Sequence, residues 1–187
     1  MVTLGSLLLP VLVTAAICLV AGFVLWMVLP LHKGDFRPLP DEASVADAIR
    51  RQGNLSPGQY IMPYCPDPAQ MKDPAMQARY AQGPVAYLVL GRPGMPSIGR
   101  NLALTYLYHA VVSFFIAYIA AHTLEAGTPY LAVFRVAGTI AFLAYGAAVI
   151  PSAIWYGRPW GPVWREVVDA AVYALLTAGV FGWLWPR

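Results

Sequence analysis

The chain reads as an all-α membrane protein, a bundle of four transmembrane helices with a small cytoplasmic α+β insertion between the first and second. Three observations predict this. Of 187 residues, 59% are hydrophobic and only 11% charged, against about 25% charged in ordinary soluble domains. Mean hydropathy is +0.58. Four apolar stretches each reach the roughly 20 residues needed to cross a hydrocarbon core.

The first stretch, residues 7–29, contains no charged residue. A cleaved signal peptide is the competing reading. It is disfavoured by the missing basic n-region, the length of the apolar run and the lack of a small-x-small site before Trp26. Residues 101–122, 130–150 and 163–185 supply the other three spans, each bounded by Pro, Gly or charge. The six tryptophans (Trp26, Trp155, Trp160, Trp164, Trp183 and Trp185) fall at or near span ends. That is where an amphipathic ring prefers the headgroup layer. The expected parts are therefore residues 1–30 with the first span, a polar segment 31–100, and residues 101–187 with the remaining spans.

Lys and Arg placement orients the bundle. Lys33, Arg37, Arg92, Arg100, Arg158 and Arg165 lie near span ends on one side. The other side has Arg187, Arg135 just inside the third span, and a short connection carrying Glu125. Positively charged flanks stay cytoplasmic. The expectation is a multi-pass protein of the inner (plasma) membrane with both termini outside and residues 31–100 in the cytoplasm.

The polar segment opens with the Pro-punctuated tether Phe36-Arg37-Pro38-Leu39-Pro40. Asp41 can cap a helix running to about Arg51, because its carboxylate accepts the free amides of the first turn. Val45, Ala48 and Ile49 give that helix an apolar stripe. Gly53 ends it, and Ser56-Pro57-Gly58 turns the chain into a strand at residues 59–62. A Pro-interrupted helical stretch at 68–82 precedes a second strand at 85–90. About 70 residues of this make-up bury little core, so the segment is expected to lean on the membrane or on a partner.

Ionisable groups inside a span are expensive and are functional candidates by default. Here they are His109, Arg135 and Asp169. Asn101, Thr105, His109 and Ser113 recur every fourth residue and share one helix face, as do Asp169, Tyr173 and Thr177. His109 and Asp169 lie about 12 Å and about 9 Å deep at the helical rise per residue. They are expected to face each other. The ordinary role for such a pair is to hydrogen-bond two helices and fix their rotation. A proton relay, a metal site or a substrate counter-ion is the alternative, although one His and one Asp are too few for a metal. Arg135, about 7 Å inside the outer face, can snorkel to lipid phosphate or reach Glu125; an anion or substrate site is the other reading. Small-residue stripes, Ala170/Ala174/Ala178/Gly182 and Ala137/Ala141/Ala144/Ala148, let backbones approach closely, either within the bundle or in a homodimer.

No cofactor or metal is expected. Cys18 and Cys65 make no disulfide framework and read as ordinary thiols. The spacing of His109 and His122 is similar to that of helices holding two haems in cytochrome b proteins. Each haem would need a ligand from another helix, and the third histidine, His32, lies at the face opposite His122. Ser113 lacks a Gly-x-Ser turn, and no phosphate loop or His-Glu-x-x-His motif is present. Arg50, Arg51 and Lys72 are scattered among Asp47 and Asp73, which excludes a nucleic-acid patch.

Several phrases occur together: Pro57-Gly58-Gln59-Tyr60-Ile61-Met62-Pro63, Lys72-Asp73-Pro74, Gly83-Pro84-Val85, and Ile150-Pro151-Ser152-Ala153-Ile154-Trp155-Tyr156-Gly157. With Asp169, Tyr173 and Trp183-Leu184-Trp185-Pro186, they resemble a family of bacterial four-span integral membrane proteins of uncharacterised activity. The resemblance covers most of the chain. It implies a bacterial inner-membrane location and carries over no ligand or site. The expected function is a non-enzymatic accessory or scaffold subunit that meets the lipid bilayer and binds protein partners or a second copy. The alternative is a small transporter or membrane enzyme using the His109, Asp169 and Tyr173 face.

Overall fold

The computed structural model describes residues 2–53 and 55–187. They form two compact units, one made of residues up to Arg37 together with Pro96–Arg187, the other of Pro38–Met95.

In the first unit, the Thr3 hydroxyl accepts the Ser6 amide and starts a short turn at Leu4–Leu7, which leads into α1, Leu8–Phe23. The last turn of this helix widens over Val24–Val28, where the Leu29 amide donates to the Val24 carbonyl at 2.9 Å. Pro30, which has no amide to continue the ladder, ends it. After the second unit come α4 (Ile98–Thr123), α5 (Tyr130–Gly146), α6 (Ile150–Tyr156) and α7 (Trp160–Trp183). Ser97 caps α4 by accepting the Arg100 amide. Gly157 closes α6 in the left-handed region, with φ of 62°, a conformation that glycine adopts without strain.

Four helical stretches are long and apolar enough to cross a membrane: Leu4–Val28, Ile98–Thr123, Tyr130–Tyr156 and Trp160–Trp183. The third runs past residue 150, where the sequence suggested a stop. Pro151 sits at the second position of α6, after a tighter turn at Ala147–Val149. Its missing amide costs nothing there, because first-turn amides have no helical partner. Pro162 lies in the first turn of α7 for the same reason, so the fourth span begins at Trp160 rather than 163. The fourth span is also the least apolar, with mean hydropathy 1.3 against 2.7 for the first. Arg165, Glu166 and Asp169 are the cause.

α1 packs on α4 and α7, and α5 packs on α7 and α4, so the four spans close a ring. The α5–α7 contact is the most extensive. Ala137, Ala141, Ala170, Ala174 and Ala178 are all buried, and across this contact a Cβ on Gly138 would meet that of Ala178 at 3.0 Å. Side chains this small let the backbones approach and gain dispersion contacts, the main attraction between helices in lipid. Ala144 and Ala148, expected on the same stripe, are exposed; the buried row continues through Tyr145 and Gly146 instead.

The outer surface is apolar. Leu8, Leu9, Val20, Leu107, Phe115, Leu131, Leu143 and Leu175 are exposed, while Thr14, His109, Ser113, Asp169 and Thr177 are buried. Water would favour the reverse distribution. A hydrocarbon surround favours this one.

In the second unit, Asp41 accepts the Ser44 amide at 3.0 Å and starts α2, Glu42–Arg50. β1 (Gly58–Met62) pairs antiparallel with β2 (Ala86–Leu90), Tyr60 opposite Leu88. Between them Asp67 caps a short turn at Pro68–Lys72, and Asp73 caps α3, Pro74–Gln82. The order helix, strand, helix, strand is the one the sequence predicts. Pro63 and Met76 are the only buried side chains among the described residues of this unit. The α2 stripe of Val45, Ala48 and Ile49 is not buried.

Candidate functional site

The most concentrated group of ionisable side chains joins the end of the first span to the start of the fourth. The widened turn at Val24–Val28 carries Trp26. Beyond it, a tight turn at Pro30–His32 and an Asp35 amide donating to the His32 carbonyl (3.1 Å) bring His32 and Asp35 together. On α7, Arg165 and Asp169 are four residues apart and therefore share a face.

These five residues interlock. His32 Nδ1 lies 2.7 Å from Asp35 Oδ2, and His32 Nε2 lies 3.0 Å from Asp169 Oδ2. The second approach is an ion-pair contact off the line of a hydrogen bond. Trp26 Nε1 donates to the same Asp169 oxygen at 2.9 Å, and its ring stacks on the imidazole at 3.9 Å between centroids, 2° from parallel. Arg165 clasps Asp35 Oδ1 through Nε at 2.6 Å and through a terminal nitrogen. The His32, Asp35 and Asp169 side chains are only 3–5% exposed, whereas Arg165 is 32% exposed.

Charge balance determines the state of the imidazole. Burial opposes its protonation, but the Asp35 hydrogen bond and Asp169 outweigh that and raise the His32 pKa above its ordinary value. Burial likewise pushes the Asp35 carboxyl up, and His32 and Arg165 together pull it below the usual carboxylate range. With His32 protonated, two cations and two carboxylates cancel. Partnered this way, buried charges are tolerated; removing one member leaves an uncompensated buried charge. Asp169 Oδ1 is buried with no partner among the described residues. The cluster can therefore clamp the segment after the first span onto α7, and it can hold a proton on an imidazole flanked by two carboxylates.

A second, mostly aromatic group lies deeper. His109 Nδ1 is 3.1 Å from the Tyr145 hydroxyl. The Tyr173 ring sits 5.3 Å from both the His109 and the Tyr145 rings. The Cys18 thiol lies 3.8 Å from the Thr177 hydroxyl. The structure thus corrects the pairing of His109 with Asp169. Both are buried, but His109 bonds Tyr145, and Asp169 bonds Trp26 and contacts His32. Equal depth places two groups at one height without turning them toward each other. The face expected along α4 is also only partly interior: His109 and Ser113 are buried, Asn101 and Thr105 exposed. Thr105 donates to the Asn101 carbonyl of its own helix.

Arg135 is exposed and lines an open groove between α5 and α7. No ion pair among the described residues engages it, and Glu125 is not its partner. Sequence reasoning missed His32, Asp35, Arg165 and Trp26 as members of one site: it weighs His32 only as a haem ligand, reads Arg165 and Trp26 as span-end signals, and gives Asp35 no role. The available signal was complementary spacing: His32-x-x-Asp35 after a helix-ending proline, and Arg165-x-x-x-Asp169 on one helical face.

No cluster of three or more His, Cys, Asp or Glu able to hold a metal occurs among the described residues. Compared with family models, curated proteins and solved structures, the chain matches none.

Proposed function

We propose that this chain is a multi-pass protein of a bacterial inner membrane that works without catalysis, as an accessory or scaffold subunit whose insert, Pro38–Met95, binds a protein partner in the cytoplasm. The carrying observation is the insert's uncovered apolar surface. Only Pro63 and Met76 are buried among its described residues, while Val45, Leu55, Met71, Val85 and Val89 are exposed. A unit that buries so little of its own is stabilised by a surface it meets. The Arg165–Asp35–His32–Asp169 clamp supports the same reading, because its charges are turned toward one another. Lys33, Arg37, Arg92, Arg100, Arg158 and Arg165 near one set of span ends support the cytoplasmic placement.

Purification in mild detergent followed by mass spectrometry tests the proposal. The expected result is a reproducible stoichiometric partner, lost when Val45 and Val89 are replaced by Glu. A monodisperse, partner-free monomer isolated repeatedly overturns it.

A second reading, a small transporter using the His109, Asp169 and Tyr173 region, is favoured by one feature. Thr14 Oγ1, Ser113 Oγ and Asp169 Oδ1 are buried without partners among the described residues, as groups awaiting water or a ligand would be. His109→Ala separates the readings. A lowered detergent melting temperature fits a structural role, whereas an unchanged one together with lost cellular function favours transport.

A further inference from the structure

Arg135 is a cation in a span with no counter-charge among the described residues. The only carboxylates in the four spans, Glu166 and Asp169, pair with Arg158 and with His32 and Trp26. Arg135 lies five residues into α5, about 7 Å from its start, on a groove of about 440 Å³ between α5 and α7. Gly138 and Ala174 form its floor, and Phe134 and Phe142 line it with rings. Apart from Arg135 and Thr139, the lining is apolar. From the level of Arg135 to that of Phe142 the groove descends about 10 Å into the span.

We propose that this groove is a phospholipid site, with an acyl chain along its apolar length and the lipid phosphate held by the Arg135 guanidinium. A guanidinium in a span is costly unless it reaches the interface or a counter-ion. Phosphate matches its planar fork of donors. A second copy of this chain offers no free carboxylate from its spans at this depth, so charge complementarity selects the lipid over a homodimer contact. The site is independent of the partner-binding role of the insert.

Native mass spectrometry of the full chain in mild detergent tests the proposal, titrating dioleoyl phosphatidylglycerol, a phosphate-free diacylglycerol and inorganic phosphate in parallel. The wild type is expected to retain the phosphatidylglycerol, to ignore the diacylglycerol, and not to release the lipid to inorganic phosphate. Arg135→Gln weakens retention about tenfold, the loss of one hydrogen bond to a charged group. Arg135→Lys preserves most of it. Ala171→Leu, which fills the groove and keeps the cation, weakens it too, and decides the matter alone if Arg135→Gln does not fold. Equal retention by wild type and both weakening variants overturns the site. So does equal binding of diacylglycerol, displacement by inorganic phosphate, or a dimer without lipid that Ala171→Leu dissociates.

Discussion

Trp26 donates its indole N–H to Asp169 across the contact between the first and fourth spans, at 2.9 Å. The contact has an antiparallel register: Cys18 meets Thr177, Gly22 lies against Tyr173, and Trp26 reaches Asp169. Each step of four along α1 and its widened turn answers a step of four back along α7. Replacing Trp26 with Phe keeps a ring over His32 and removes the N–H. It should cost about 1–3 kcal/mol, the range for leaving a buried acceptor unsatisfied. Asp169→Ala removes the acceptor of Trp26 and one of the two counter-ions of His32, and should cost more, about 3–5 kcal/mol. Detergent melting temperatures in the order wild type, Trp26→Phe, Asp169→Ala are expected. Equal temperatures for all three would show that the cluster carries no stability.

The cluster also makes stability depend on pH. His32 faces Asp35 from its own segment, Asp169 from α7 and the Trp26 ring, and Arg165 stands behind Asp35. The folded pKa of His32 is raised, so its contribution is whole below the unfolded value near about 6.5 and fades as pH climbs through the higher folded value. The folded pKa of Asp35 is lowered. Its contribution is whole above about 3.9 and fades as pH falls through the lower folded value. The melting temperature should therefore be highest between about pH 4 and 6.5 and decline toward alkaline pH. His32→Gln should flatten the alkaline limb. A wild-type curve with no alkaline decline would contradict the assignment.

The sequence made the spans legible because apolar length is a local property. The insert's elements were legible because Asp41, Gly53, Pro57 and Gly83 punctuate them. Two features were not. From sequence the third span ends at about residue 150, before Pro151, yet proline is tolerated in the first turn of a new helix. The partners of Asp169 depend on which helices are neighbours in the ring, and depth counted along one helix says nothing of that. His32 reaches Asp169, and Asp35 reaches His32 and Arg165, only because the chain turns back after Pro30, a tertiary outcome with no periodic signal.

Gly22 is required by its neighbour. A Cβ at this position would lie 2.9 Å from the Tyr173 hydroxyl oxygen but 3.8 Å from the ring carbon that bears it. Gly22→Ala should therefore destabilise by about 1–3 kcal/mol, the usual cost of overpacking. Tyr173→Phe in the same chain should recover most of that loss. A double-mutant cycle on detergent melting measures the coupling. Additive effects would mean that the two residues are not in contact.

The α5–α7 contact predicts unequal tolerance along one helix. Gly138 faces Ala178, with only 3.0 Å for an added Cβ, while Ala144 is exposed. Gly138→Ile should force the helices apart and lower the melting temperature sharply. Ala144→Ile adds apolar surface toward lipid and should change stability by less than about 0.5 kcal/mol. If Ala144→Ile is the more damaging, Ala144 is covered by a second copy in the membrane.

Orientation can be read from one thiol. Cys65 lies in the insert, half-buried, and donates to the Asp67 carbonyl at 3.1 Å. Cys18 is fully buried in α1. A membrane-impermeant maleimide should label the wild type in inverted inner-membrane vesicles and leave it unlabelled in right-side-out spheroplasts. Cys65→Ser should abolish the signal, because Cys18 reacts only after denaturation. The positive charges flanking the insert favour this orientation by resisting translocation. Labelling in spheroplasts but not in inverted vesicles would place the insert outside, and a cytoplasmic partner for it would then be untenable.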